Sequence, residues 1–305
     1  MKPDPLVSVI CTARDASRTI EAMLRSTLEQ TLQRWELIVV DDGSADDTID
    51  IAAAYARQDR RVTVIRTPGV GRGQALNLAL SCARAELIAN IDADDTSHPR
   101  RLELQASVMA CRRDISILCT DGIIVRDDEQ AVWPCLDPEA VWPKLIEVTP
   151  ALVLHNPVMH SSVMFRRADV LAASGYAEDI PSQFDYELWV RMAARGHRIY
   201  RLELPLAANR MHENQSFETR RRFAYQFNSA RVQREAIRAC RAPRRYIAIV
   251  WIRFAFGLLP RSLRRGLKGA ATAIWRAIRG SSDTGTSPAA ATGSPQRNHT
   301  AGSKP

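Results

Sequence analysis

Hydrophobic positions in the first 91 residues alternate between the period of a β-strand and the period of an α-helix. Short β-branched runs predict strands, and between them apolar residues recur every three to four positions, as on one face of a helix. Ser17 is placed to cap the first helix, and Ser44 with Asp47 has the capping-box pattern ahead of the second. The predicted strands are residues 7–11, 36–40, 62–65 and 86–91, and the predicted helices cover 17–32, a segment after 47, and 72–84. This order predicts an α/β fold with a doubly wound, mostly parallel sheet and right-handed crossovers.

The alternation resumes after residue 91 with one irregular interruption. Helices are predicted over 99–113, 168–174 and 185–195, and strands over 115–125, 163–166 and after Gly196. The Pro-rich segment 133–150 is predicted to be irregular. The expected organisation is a domain over 1–215 with halves 1–98 and 99–215, a helical segment over 216–280, and a tail over 281–305.

The positive charge of the chain is concentrated near its C-terminus. The formal net charge is +8, but residues 1–240 carry 30 Lys and Arg against 33 Asp and Glu, whereas residues 241–280 carry ten basic residues and no acidic ones. A nucleic-acid footprint over the whole protein is therefore excluded, because such a footprint must lie on the surface that binds. Aromatic and aliphatic residues alternate with Arg in this segment, which predicts amphipathic helices lying on an anionic membrane surface.

Other patterns bear on the compartment and on structural metal or disulfide sites. Residues 246–259 form an apolar run of 14 residues, whereas a membrane-spanning helix needs about 20. The first apolar run is too short for a secretory signal, so the main domain is expected in the cytosol, and the composition of residues 281–305 predicts disorder. Six cysteines without a Cys-x-x-Cys pair predict buried, reduced thiols rather than a zinc site or disulfides.

Polar clusters follow three of the predicted strands. Thr12, Asp41-Asp42 and Asp92-x-Asp94-Asp95 each come directly after a strand, hence at the carboxyl edge where open α/β sheets bind ligands. Three carboxylates within four residues repel one another unless a cation or hydrogen-bond donors hold them, and Mg²⁺ or Mn²⁺ with substrate phosphates fits such a site. The alternative is a solvated turn that caps the helix near Pro99.

The remaining candidates are separate residues. One carboxylate suffices for the turn at Asp41-Asp42, and a second is suited to accept from a base N–H or a ribose hydroxyl. Residues 69–73 read G-x-G-x-G after the third strand, which is not the dinucleotide fingerprint, so hydride transfer is excluded and Arg72 is placed near a diphosphate. Asp185 opens a helix, either as its cap or facing the ligand edge. The histidines at 155, 160 and 212 lack metal-site spacing.

The ordered motifs together resemble glycosyltransferase family 2 over roughly residues 6–215. They are the first strand Val7–Thr12, the segment Val39–Ser44, the helix residues Ala75-Leu76-Asn77, the acidic loop Ile91–Asp95 with Pro99, and the segment Asp185–Arg191. Arg210-Met211-His212 is similar to a motif late in many of these domains. The resemblance differs at two places, where Ala13-Arg14-Asp15 replaces a frequent Tyr-Asn and Phe184 replaces an acidic residue before the base.

The resemblance implies an A-type glycosyltransferase fold and a metal-dependent, inverting transfer from a nucleotide-diphosphate sugar, expected to be UDP-linked. On the donor side it implies Thr12, Arg14, Asp41, Asp42, Arg72 and Asp92, with Thr12 and Asp42 at the base and ribose. It implies Asp94 as the metal ligand, with Asp92 on the metal or the ribose, and Asp185 as the general base. The acceptor or supporting residues are Asp95, His160, Glu187, Trp189 and His212, Glu187 being the second candidate for the base.

The predicted function is extension of a saccharide or lipid-linked saccharide in cell-surface polysaccharide synthesis, at the cytoplasmic face of the cell membrane. A nucleotidyltransferase that makes a nucleotide sugar is an alternative, but such enzymes usually carry a Gly-rich basic loop where Thr12-Ala13-Arg14-Asp15 stands. A non-enzymatic protein whose basic arm grips nucleic acid is a second alternative. The aromatic residues between the arginines favour the membrane.

Overall fold

The computed structural model describes residues 4–126, 129–136, 144–211, 222–243 and 245–259. The first half contains β1 (Val7–Ala13), α1 (Ile20–Leu28), β2 (Trp35–Asp42), α2 (Thr48–Gln58), β3 (Val62–Thr67), α3 (Arg72–Cys82), β4 (Leu87–Asn90) and β5 (Thr96–Ser97). The second contains α4 (Arg101–Cys111), β6 (Ile115–Arg126), β7 (Leu145–Glu147), β8 (Met164–Arg166), α5 (Arg167–Ala172), α6 (Phe184–Ala194), β9 (Arg198–Met211), α7 (Arg222–Ala239) and α8 (Arg245–Leu258). Short 3₁₀ helices cover Thr149–Val153 and His160–Ser162.

One mixed sheet organises these elements. Its strand order is β3-β2-β1-β4-β8-β6-β9-β5, and β7 pairs with β9 outside this path. Strands β1 to β4 are parallel to their neighbours within this group, as predicted, whereas β8 runs antiparallel to both β4 and β6. The chain moves outward from β1 to β3 and then crosses back to β4, so the direction of winding reverses between β1 and β4. That reversal is the switch point at which open α/β sheets form a ligand crevice.

Both faces of the central strands are buried, which explains why they read as continuous apolar runs. All eight residues of β2 are buried. Ile10 and Ile38 face the cluster that contains α3 and α6, while Val9 and Leu37 face the cluster that contains α1 and α4. Full burial of such a side chain contributes about 1.5–3 kcal/mol, so these two layers fix the strands whose ends carry the site.

Some local predictions are wrong. Helix α1 begins at Ile20, because Ser17 donates its N–H to the Asp46 carboxylate instead of capping a helix. Ser44 does not form the predicted capping box, since its hydroxyl accepts the N–H of Asp15. The segment 133–150 is not irregular throughout, because it contains β7 and the start of a 3₁₀ helix. All six cysteines are free as predicted, but only Cys11 and Cys119 are buried.

Helices α7 and α8 are present where amphipathic helices were predicted. Helix α7 packs against α6 and against the 3₁₀ helix Thr149–Val153, and α8 packs on α7 through Val250 and Ile237. Residues 1–258 form one compact unit. Within the described residues, no helix is both long and apolar enough to cross a membrane. The predictions for residues 260–280 and for the tail fall outside the described residues.

Candidate active site

Three carboxylates converge at the carboxyl end of β4. Asp92, Asp94 and Asp95 can each offer one oxygen within 4.8 Å of the others. The turn that carries them is closed by the Asp95 N–H, which donates to the carbonyl of Asp92, and the Asp92 N–H donates to Ser161 Oγ at 3.1 Å. The predicted cluster therefore exists as a spatial group of hard oxygen donors.

Asp92 is held by donors that converge on one carboxylate oxygen. Its Oδ1 lies 2.5 Å from Arg72 Nη2, 3.2 Å from Asn90 Nδ2 and 3.3 Å from His160 Nδ1. Burial acts to raise the pKa of Asp92, but Arg72 and His160 outweigh burial and hold that pKa well below its usual range. Asp92 therefore keeps its negative charge at neutral pH.

Asp95 connects the acidic turn to the end of β9. Its carboxylate accepts the N–H of Arg210 at 2.9 Å and the side-chain amide of Asn209 at 3.2 Å. Burial, followed by the charges of Asp92 and Asp94, raises the pKa of Asp95 to about 7. A divalent cation would relieve this crowding of negative charge, so the donor set fits Mg²⁺ or Mn²⁺. His212, one residue beyond β9, lies outside the described residues.

A buried arginine lies beneath the acidic turn. Arg101 is 1% exposed and donates to the carbonyls of Asn90 and Val163, to Ser97 Oγ and to Gln105 Oε1. Burial lowers the pKa of Arg101 to about 9, against the opposing charges of Asp95 and Asp92. The guanidinium thus joins β4, α4 and the segment before β8.

Replacing Arg101 with Met is expected to destabilise the protein strongly. The substitution leaves buried carbonyl and side-chain oxygens without donors, which costs about 3 kcal/mol of the free energy of unfolding. Urea denaturation measures this quantity, with Arg113→Met as the control because Arg113 is 74% exposed in its ion pair with Glu86. Equal stability of the two variants would show that the buried network contributes little.

Reciprocal hydrogen bonds join the loop after β1 to the loop after β2. The Asp15 N–H donates to Ser44 Oγ, and the Asp15 carboxylate accepts the N–H of Ala45 at 2.8 Å. The Ala16 N–H donates to Thr48 Oγ1 at 2.7 Å. These hydrogen bonds hold the two loops together, so the predicted donor-binding residues Thr12 and Arg14 lie at the same edge of the sheet as Asp41 and Asp42.

The two carboxylates at the end of β2 have different environments. Asp42 accepts from Thr67 Oγ1 at 2.7 Å and from the N–H groups of Val70 and Gly71 at 2.7 and 3.0 Å. It therefore holds the Gly-rich loop that precedes α3. Asp41 is fully buried, and its Oδ1 has no hydrogen-bond partner among the described residues. The unpartnered oxygen of the pair thus belongs to Asp41 and lies inside the protein.

Gly43 lets the loop after β2 pass close to the loop after β3. Its φ is +75°, and a Cβ there would lie 2.9 Å from the backbone nitrogen of Gly69. Because a side chain would clash with main-chain atoms in a conformation that L-residues avoid, glycine is required at this close approach.

Arg72 connects the acidic turn to helix α6. It begins α3, pairs with Asp92, and its guanidinium lies 5.3 Å from the ring centre of Phe184. Gly73 lets the start of α3 approach the loop before α6, because a Cβ there would lie 2.3 Å from the carbonyl oxygen of Ala177. The arginine predicted near a diphosphate thus contacts both the acidic cluster and the first residue of α6.

Asp185 lies in the first turn of α6 without capping it. The N-cap is Gln183, in a left-handed conformation with φ of +65°, so the alternative interpretation of Asp185 as an N-cap is wrong. Its Oδ2 accepts a hydrogen bond of 2.8 Å from Asn156 Nδ2.

Two residues predicted for the acceptor side have structural contacts instead. Both oxygens of Glu187 bind Arg191, at 2.6 and 2.8 Å, and Arg191 also donates to the carbonyls of Ala173 and Gly175. Trp189 is fully buried between Phe165 and the rest of the core, so of the two predicted roles, acceptor contact or support, its position fits support. Trp189 supports the site as part of the core. Glu187 holds Arg191, which in turn binds the carbonyls of the turn that follows α5.

His160 is a supporting residue of the acidic cluster. Its Nδ1 lies near Asp92, and its Nε2 lies 3.1 Å from the hydroxyl of Tyr176. Asn77 holds Tyr176 by accepting its N–H and donating to its carbonyl. Burial raises the pKa of Tyr176 well above its usual range, so the hydroxyl stays protonated.

Sequence reasoning missed Asn156, Ser161, Tyr176 and Asn90 as parts of the site. Their signal is weak, because none of them belongs to a sequence motif that indicates ligand binding. Only the run of polar residues at 160–162, inside the apolar stretch before β8, marks the region as something other than core.

The family model described as Glycosyl transferase family 2 matches residues 8–170, more than half of the chain. The chain belongs to glycosyltransferase family 2. It is 30% identical over 247 residues to EpsE of Bacillus subtilis (strain 168), covering 80% of this chain and 86% of EpsE. It is 28% identical over 191 residues to the O-antigen biosynthesis glycosyltransferase WbnJ of Escherichia coli, covering 61% of this chain and 71% of WbnJ.

Solved structures share the fold of this glycosyltransferase. The crystal structure of S. aureus TarS 1-349 in complex with UDP-GlcNAc matches with a TM-score of 0.60 and 21% identity. The match covers 76% of this chain and 66% of the TarS chain, slightly under two thirds of its length. The mannosyltransferase PcManGT from Pyrobaculum calidifontis, in complex with GDP-Man and Mn²⁺, matches with a TM-score of 0.56 and 18% identity. This match covers 91% of this chain and 83% of the PcManGT chain. These matches confirm the predicted A-type fold.

Proposed function

We propose that this glycosyltransferase transfers a sugar from a nucleotide-diphosphate donor to a saccharide or lipid-linked saccharide with inversion at the anomeric carbon. The observation that carries the proposal is the acidic cluster at the end of β4, whose Asp92 pairs with Arg72 at 2.5 Å. The donor diphosphate and the acceptor hydroxyl would meet around this arginine.

The donor half would bind the nucleotide at the ends of β1 and β2. Thr12, Asp41 and Asp42 hold the base and ribose, with Arg14 beside them. The UDP-GlcNAc complex of TarS supports a UDP-linked donor, although the GDP-Man complex of PcManGT shows that this fold also accepts a guanine nucleotide.

The reaction is a single displacement. Asp185 takes the proton of the acceptor hydroxyl as its oxygen attacks the anomeric carbon, and the bond from that carbon to the diphosphate oxygen breaks on the opposite face. Asp94 and Asp92 would hold a divalent cation, which when bound would supply positive charge beside the departing diphosphate. Arg72 holds the diphosphate on the side away from the attacking hydroxyl.

A product assay tests this function. The purified full chain is incubated with Mn²⁺ and UDP-, GDP- and dTDP-sugars, with a detergent extract of lipid-linked saccharides as acceptor, and nucleoside diphosphate release and the stereochemistry of the product are measured. We expect acceptor-dependent release from a UDP-sugar and an inverted product. Formation of a nucleotide sugar from a sugar phosphate and a nucleoside triphosphate would instead support the nucleotidyltransferase alternative.

We further propose that the protein works as a peripheral enzyme at the cytoplasmic face of the membrane. An aromatic patch on α7 and α8 consists of Phe223, Phe227, Trp251, Ile252 and Phe254, of which four are about half exposed or more. Phe254 contacts both Phe223 and Trp251, so the patch is continuous. The ten basic residues of 241–280, without any acidic residue, complement an anionic surface, and each that reaches it contributes about 1 kcal/mol.

Vesicle flotation tests the membrane proposal. The full chain is expected to float with vesicles containing 30% phosphatidylglycerol, and the triple variant Phe223→Ser, Phe227→Ser, Trp251→Ser is expected to lose about tenfold in binding. Leu171→Ser is the control, since Leu171 is 44% exposed on α5, outside the patch. Unchanged flotation of the triple variant, or displacement of the vesicles by duplex DNA, would overturn this part of the proposal.

A further inference from the structure

One short segment of the chain contacts both the proposed base and the acidic cluster. Asn156, which lies between the two 3₁₀ helices, donates to Asp185. His160 and Ser161, in the second 3₁₀ helix, contact the Asp92 carboxylate and the Asp92 N–H, respectively. Only four residues separate Asn156 from Ser161, and Pro157 restricts the backbone next to Asn156. The relative position of the two chemical groups therefore depends on this segment.

The orientation of the Asn156 amide is fixed by its other contact. Its Oδ1 accepts the N–H of Val158 at 3.1 Å, so the Nδ2 group faces Asp185. That donor binds Asp185 Oδ2 at 2.8 Å and restrains rotation of the carboxylate. The other oxygen, Oδ1, is then the one presented to an acceptor hydroxyl.

We infer that Asn156 is the positioning residue for Asp185, holding the carboxylate in the rotamer that takes the acceptor proton. This inference rests on the proposed function, in which Asp185 is the base. A donor to one carboxylate oxygen orients the base and favours its charged form.

Two variants separate orientation from folding. Asn156→Ala removes both contacts, whereas Asn156→Asp keeps an acceptor for the Val158 N–H and places a second carboxylate against Asp185 in place of the amide donor. For both we expect kcat to fall about 10- to 100-fold, since a supporting partner of a functional group has effects of this size. The KM for the nucleotide sugar and the Mn²⁺ concentration for half-maximal rate should stay within twofold of wild type.

The control is His155→Ala, because His155 is the exposed neighbour of Asn156 and should retain wild-type kcat. The inference is overturned if Asn156→Ala keeps kcat within twofold, or if donor KM rises as much as kcat falls. Asp185→Asn, run in parallel, distinguishes the two failures. If Asp185→Asn is inactive while Asn156→Ala is active, only the positioning role is wrong. If Asp185→Asn is itself active, the assignment of the base is wrong.

Discussion

Asp185→Asn is expected to reduce kcat for sugar transfer by about 1000-fold while the protein stays folded. The substitution keeps the shape of the side chain and removes its capacity to accept a proton, and a positioned general base contributes about 10²- to 10⁴-fold. Helix α6 should remain intact, because its N-cap is Gln183 rather than Asp185. Initial rates of acceptor-dependent nucleoside diphosphate release, together with the circular dichroism spectrum, measure the two effects.

The matched control is Glu187→Gln on the same helix. Glu187 is engaged by Arg191, so its loss should lower stability by about 1–3 kcal/mol while leaving kcat within a few-fold of wild type. If Glu187→Gln abolishes turnover in a folded protein while Asp185→Asn does not, the base assignment would pass to Glu187.

Asp94→Asn is expected to remove metal-dependent activity. Charge neutralisation at the departing diphosphate is worth several kcal/mol, which corresponds to about 1000-fold in rate. The variant should be at least as stable as wild type without metal, because removing one of three neighbouring carboxylates relieves their repulsion. Rates measured over a Mn²⁺ titration, and thermal unfolding in a chelator, test the two expectations.

Asp50→Asn is the control for this experiment. Asp50 is exposed on α2 and should change neither the Mn²⁺ dependence nor the rate. A wild-type Mn²⁺ response in Asp94→Asn would show that the acidic cluster does not hold the metal that the reaction uses.

The parallel half of the sheet could be predicted because its strands are buried on both faces and therefore stand out as apolar runs. Their polar ends then identify the ligand edge without reference to side-chain contacts. The antiparallel insertion of β8 between β4 and β6 was not predicted, because it depends on pairing between residues far apart in sequence. Local patterns of hydrophobicity carry no information on that pairing.

The acidic cluster was predicted for a similar reason, since three adjacent carboxylates are visible in the sequence. The residues that orient them were not, because Asn156 reaches Asp185 across 29 positions and His160 reaches Asp92 across 68. The capping predictions at Ser17 and Ser44 failed because these groups bond across loops instead. Trp189 was placed on the acceptor side from its neighbourhood in sequence, whereas the helical period turns it into the core.

The central claim is that the edge of the sheet binds a nucleoside diphosphate together with a divalent cation. Thermal unfolding of the wild-type chain with UDP, with Mn²⁺ and with both measures this directly, because a ligand at 100 times its Kd stabilises the native state by about 2.7 kcal/mol. We predict a rise in Tm of several degrees with both ligands, and a much smaller rise in Asp94→Asn. Failure of UDP, GDP and dTDP alike to raise the Tm of the wild-type chain in the presence of Mn²⁺ would contradict the account.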